Sequence, residues 1–173
     1  HQQTILDTVV RRLNQAYRRY MELNPTFSGR VSIVGHSLGS IISFDILSNQ
    51  PSSSPETSLD EPDTTQTPTA RMLQLSATVE PLVFRPQVYF ACGSPIALFL
   101  ALRGTDVADF HMPTCPRMYN IFKPHDPVAY RIEPLQDESL ASTSPACIPH
   151  SVEAYRPLLE IPNNNSWTAM MKK

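Results

Sequence analysis

From Gly29 to Leu47 the chain reads GRVSIVGHSLGSIISFDIL, and this stretch decides the fold. Arg30 to Val34 is rich in β-branched residues and reads as a short strand. Ile41, Ile42, Phe44, Ile46 and Leu47 supply the apolar body of a buried helix. Between them Gly35-His36-Ser37-Leu38-Gly39 fits G-x-S-x-G. As a bare pattern that is a weak signal, because short glycine patterns arise by chance. Strand, tight turn and helix in that order is the context that makes it a nucleophile elbow rather than a structural turn. The turn is expected to be so tight that side chains at Gly35 and Gly39 would collide with neighbouring backbone. It would lift Ser37 Oγ clear of the sheet, within reach of a base. The amide of Leu38, at the start of the helix, would point at a developing oxyanion.

Outward from the elbow, the upstream segment reads as an amphipathic helix. Leu6, Val9, Val10, Leu13, Ala16, Tyr17 and Tyr20 gather on one stripe, with Arg11, Arg12, Arg18 and Arg19 opposite. The arginines read as a solvated face in preference to a lipid-headgroup contact. Pro25 and Gly29 end the helix. Downstream, residues 50–71 hold one large apolar residue, Leu59, among Pro, Ser, Thr and acidic residues. Such a stretch buries too little to offset its ordering entropy, and a disordered acidic insertion within one domain is expected. Order resumes over 79–84. Gln87 to Pro95 reads as a strand ending in a turn, Ile96 to Leu102 as a short helix closing at Gly104, and Met118 to Phe122 as a third strand. The pattern fades from Gln136. Three strands, each ending in a polar turn, predict an α/β fold: an incomplete α/β-hydrolase-like parallel sheet with its site at the strands' carboxyl ends.

Composition bounds what such a sheet does. With 173 residues, 41% of them hydrophobic and 17% charged, the chain suits one domain. A net charge of -2 gives no basis for binding nucleic acid. No window approaches the ~18 apolar residues of a membrane span. The chain opens at His1 without a basic-then-apolar leader and reads as part of a longer protein. Cys92, Cys115 and Cys147 form no C-x-x-C pair, and free thiols in a reducing compartment are expected. Cys92, in an apolar run, reads as a small buried filler.

A serine nucleophile needs a histidine base and a carboxylate to orient it, and in this fold class both follow the serine, acid first. Asp126 stands just past the third strand, where the acid belongs; its other reading is an Asp-Pro turn. Asp45, on the elbow helix, reads as a surface or packing residue. His36 adjoins Ser37 and cannot serve it as base, while His111 and His125 precede the acid. His150 alone has the right order, across a proline-rich segment with no evident strand or helix. A base beyond Lys173 is read in preference to His150, in which case these 173 residues are inactive by themselves.

Three blocks carry a family likeness: Gly29 to Leu47, YFACGSPIALFLALRG from Tyr89 to Gly104, and YNIFKPHDPVAYRIEPL from Tyr119 to Leu135. Together they resemble the intracellular phospholipase A1 family, which prefers phosphatidic acid and carries a DDHD domain. The resemblance implies hydrolysis of the sn-1 acyl ester of a phospholipid substrate, with Ser37 as nucleophile. It divides the chain into helix, strand and elbow over 1–49, the insertion over 50–71, and the first part of a DDHD domain over 82–173. Asp126 would be the first of the four residues that give the domain its name. Those residues are read both as part of a catalytic set and as a divalent-metal site, so a metal at Asp126 is an implied cofactor. The remaining Asp, His and Asp find no clear match in this chain. The implied location is the cytosol, in peripheral contact with early secretory (ER and Golgi) membranes; no protein partner is implied. Two other readings stay open: a neutral-lipid or general acyl hydrolase of the same fold, and a non-catalytic phospholipid-binding module in membrane trafficking.

Overall fold

In the computed structural model, residues 2–51, 79–104, 107 and 112–148 are described. Their elements run α1 (Gln2–Leu23), β1 (Ser32–His36), α2 (Leu38–Ser48), β2 (Val88–Cys92), α3 (Ile96–Arg103), β3 (Met118–Ile121) and α4 (Glu133–Gln136), followed by a 3-10 turn over Glu138–Ser142. The strands form a parallel sheet in the order β1-β2-β3. The α/β class read from the sequence is therefore present, and all three strands deliver their carboxyl ends to one edge.

Alternation along the strands decides which face is covered. Ile33, Tyr89, Ala91 and Met118 pack against Ile41, Phe44 and Leu47 of α2 and against Ile96, Ala97 and Leu100 of α3. Val34, Phe90 and Tyr119 stand in register on the other face, where Phe90 and Tyr119 stack at 5.4 Å. Cys92 shares that face and is half-buried, so it is not the buried filler expected; Cys115 is the buried thiol, its pKa pushed up by that burial. Both are free.

The buried stripe of α1 differs from the expected one. Leu6 and Val10 are buried, but Ala16 and Tyr20 are exposed, and Asn14 is buried instead. Its amide donates to the Pro81 carbonyl at 3.0 Å and accepts from the Val83 amide at 2.9 Å. One side chain thus pairs with the backbone of residues 81 and 83, which form no strand. Tyr17 stacks on Phe84 at 4.9 Å beside it. The four arginines are exposed, as read.

Gln50, assigned from sequence to the insertion, belongs to the fold. It is buried, donates to the Ile46 carbonyl at 3.2 Å and accepts from the Leu82 amide at 2.8 Å. The remainder of that insertion, 52–71, lies outside the described residues. Helix α3 closes as expected on Gly104, in the left-handed conformation (φ 62). Asp45 is a packing residue and a buried one: Arg103 donates to both its carboxylate oxygens, at 2.9 and 3.1 Å, joining α3 to α2.

Beyond Gln136 the structure holds order that periodicity did not signal. Arg131 pairs with Glu133 and donates to the carbonyls of Leu140 and Ala141, at 2.7 and 3.1 Å. A single guanidinium fork ties this segment down. Hydrophobic patterning is blind to that kind of order.

Candidate active site

Ser37 links β1 to α2 with φ 50 and ψ -125. It is the one non-glycine residue with positive φ among the described residues. Such backbone costs about 1–3 kcal/mol and persists only where its surroundings over-determine it. Here they do. The Ser37 amide donates to the Cys92 carbonyl at 3.0 Å, extending the β1–β2 ladder one residue past the strand. The Ser37 carbonyl accepts from the Ser40 amide at 3.0 Å and also from the Ser40 hydroxyl. That hydroxyl lies 2.6 Å from the Ser94 hydroxyl, which accepts from the Ile96 amide at 3.2 Å. Tyr89, fully buried, donates to the Ser40 carbonyl at 2.5 Å. Burial pushes the Tyr89 hydroxyl well above the usual tyrosine range, so it keeps the proton it donates. Sequence reasoning passed over Ser40, Ser94 and Tyr89. Their signal was hydroxyls set within otherwise apolar runs, where a buried polar group demands a partner.

The two glycines of the motif have different standing. A Cβ on Gly35 would fall 2.6 Å from Ser40 Cα and 3.0 Å from Ser40 N, so strand and helix meet there with no room for a side chain. A Cβ on Gly39 would meet nothing within 4 Å, which corrects the expected collision. The elbow is tight only where the first turn of α2 folds back over β1, and Gly39 faces outward, exposed. Gly35→Ala is therefore expected to destabilise the fold by ~3 kcal/mol or more, as overpacking against rigid backbone does. Gly39→Ala should be neutral or stabilising by up to ~1 kcal/mol, from helix propensity. Urea unfolding of both variants measures the contrast, and equal midpoints would contradict it.

Asp126, half-buried, reaches this edge from the loop after β3. Its Oδ1 accepts from the amides of Val128 and Ala129, at 3.0 and 3.1 Å. Its Oδ2 lies 3.4 Å from where a Cβ on Gly93 would stand, and His36 Nε2 lies 3.7 Å from the same point. Gly93 has φ +52 and follows β2, directly after the Cys92 that binds the Ser37 amide. The turn read at Asp126 is thus present, closed by one oxygen, while the other oxygen lies beside Gly93 at the end of β2. Leu38 opens α2, and its backbone N–H is among those a helix leaves unpaired at its start. His125 is exposed. His111 and His150 lie outside the described residues.

The described residues do not by themselves form a metal site at Asp126. Two backbone amides occupy Oδ1, and His36 is the neighbouring ligating side chain. Among the described residues no three His, Cys, Asp or Glu side chains converge as a divalent cation requires.

Compared with known proteins, residues 82–172 match the DDHD domain. A Saccharomyces cerevisiae protein named as a probable mitochondrial phospholipase is 33% identical over 168 residues, covering 90% of this chain and 20% of its own. The Caenorhabditis elegans intracellular phospholipase A1 is 33% identical over 162 residues, covering 75% of this chain and 19% of its own. The mouse triacylglycerol hydrolase DDHD2 is 29% identical over 249 residues, covering 92% and 36%. The chain thus spans between about a fifth and a third of the length of these relatives. No solved structure matches.

Proposed function

This chain belongs to the DDHD-domain family, and on that premise we propose that it carries the elbow of an α/β-hydrolase-like serine esterase that cleaves the sn-1 acyl ester of phospholipids such as phosphatidic acid. The observation that carries the proposal is the Ser37 backbone, φ 50 and ψ -125, held by bonds to Cys92 and Ser40. A non-glycine residue is kept in that conformation for what its side chain does at the turn.

In the proposed reaction a base takes the proton from Ser37 Oγ as the oxygen attacks the ester carbonyl carbon. The negative charge that develops on the carbonyl oxygen meets the Leu38 amide at the positive end of α2. The intermediate collapses by breaking the bond to the glycerol oxygen, which takes the proton from the base and leaves as lysophospholipid. Water then hydrolyses the acyl-Ser37 ester by the same steps. Asp126 Oδ2 orients and stabilises the charged base, while its Oδ1 is held by the 128–129 amides. His150 remains the candidate for the base within this sequence. If the base lies elsewhere, the 173 residues assayed by themselves release no fatty acid above a Ser37→Ala control.

A second reading, neutral-lipid hydrolysis, is favoured by the mouse relative's name. The two part on one assay of the full-length protein. Phosphatidic acid with different acyl chains at its two positions should yield the sn-1 fatty acid and the 2-acyl lysophospholipid. Fatty acid from triacylglycerol alone would favour the second reading, and loss of the headgroup with both esters intact would sink both. Action from the cytosol in peripheral contact with early secretory membranes rests on the family likeness. Among the described residues no helix is long and apolar enough to cross a membrane. The yeast relative's mitochondrial name makes cell fractionation the deciding measurement.

A further inference from the structure

Helices α1, α2 and α3 leave an open groove of ≈ 540 Å³ between them. Ile5, Leu38, Ile41, Ile42, Phe99 and Leu102 give its apolar lining. Its size falls within the ~300–1,000 Å³ of small-molecule sites. Leu38, Leu102 and Ile5 are 62%, 75% and 49% exposed, so this apolar surface is open to solvent. Asp45 and Arg103 also line it, but their charges are spent on each other at 2.9 and 3.1 Å. The groove therefore offers apolar contact and an already satisfied ion pair, which suits neither an anionic headgroup nor a polar peptide.

We propose that this groove takes the long acyl chain of the ester whose carbonyl sits at Ser37, a reading that rests on the proposed esterase function and extends it to the substrate's chain. Continuity with the elbow identifies the occupant. Leu38 is the residue directly after Ser37. Its amide is the oxyanion donor of the proposed mechanism, and the same residue lines the groove. A carbonyl held at that amide sends its chain out over the Leu38 side chain. From there Ile41 and Ile42 continue the path along α2 at helical spacing, with Phe99 and Leu102 of α3 and Ile5 of α1 as walls. Each added methylene then gains apolar contact, so the site prefers long chains to short ones.

Two variants of the full-length protein test this. Leu102→Asp puts a charge on an exposed wall position whose side chain the core does not need. Ile42→Trp adds bulk at a residue that lines the groove, and circular dichroism checks that the fold is kept. In a Ser37→Ala background, where turnover is removed, titration with cis-parinaric acid, a fluorescent long-chain fatty acid, should show each change weakening binding by about tenfold or more. With Ser37 intact, the ratio of kcat/KM for p-nitrophenyl palmitate over p-nitrophenyl butyrate should fall by a similar factor. Unchanged cis-parinaric acid affinity in both variants, or palmitate and butyrate rates falling in parallel, would overturn the assignment and leave the groove to some other occupant. Should Ser37→Ala still hydrolyse ester, the serine reading fails separately, and the fatty-acid titration still judges the groove.

Discussion

Ser37→Ala is expected to lower phospholipid hydrolysis by the full-length protein by about four powers of ten or more, with no loss of folding stability. The reasoning separates the backbone of Ser37 from its side chain. The backbone is held by the Cys92 carbonyl and by Ser40, both of which bond to main-chain atoms that alanine retains. The Ser37 hydroxyl makes no capping bond to α2, so its removal leaves no helix donor unpaired. Alanine and serine also bear the same steric cost at φ 50. The lost oxygen is the one atom that forms the acyl-enzyme bond. What remains is binding and the oxyanion donor, which sustain only a residue of the original rate. Fatty-acid release is measured alongside the unfolding midpoint. Retained turnover would assign the nucleophile elsewhere; a lowered midpoint with retained turnover would make the turn purely structural.

Asp126→Asn should cost about three to four powers of ten in kcat, comparable to the same change in other serine triads. Here the substitution discriminates between the two readings of the residue. Asparagine keeps an oxygen where Oδ1 accepts from Val128 and Ala129, so the turn survives. It removes the negative charge from the side that faces Gly93. A residue that only closes a turn would tolerate that change without kinetic effect. Asp126→Ala completes the comparison: it removes the turn bonds as well, and should lower stability by ~1 kcal/mol in addition. Wild-type turnover in Asp126→Asn would reduce the residue to its turn.

Much of this was legible before any coordinates. The β-branched run from Arg30 to Val34 and the apolar run from Ile41 to Leu47 identify strand and helix, because both are local properties of a chain. The glycine at 35 followed from the geometry of a strand turning at once into a helix. Asp126 became a candidate from its position after a strand, and its carboxylate lies beside Gly93 at the end of β2. Gly39 shows where that reasoning overreached. The motif gives both glycines equal weight, but only one lies on the inner side of the turn.

The features that escaped the sequence are polar pairings and packed surfaces, neither of which a hydrophobic period encodes. Asn14 is buried because the backbone at 81–83 needs an amide to pair with. Arg131 orders a segment with no periodicity because three acceptors meet at one guanidinium. Ser40, Ser94 and Tyr89 brace the elbow across 54 and 49 residues of chain. The groove needs three helices laid side by side before it exists. Local pattern determined the elements, their parallel sense and the place of Ser37 between strand and helix, because a side chain's period is written into its neighbours. The strain at Ser37, the sidedness of its glycines and the direction an acyl chain would leave were decided only when those elements packed, because they depend on distances between surfaces that the chain brings together from far apart.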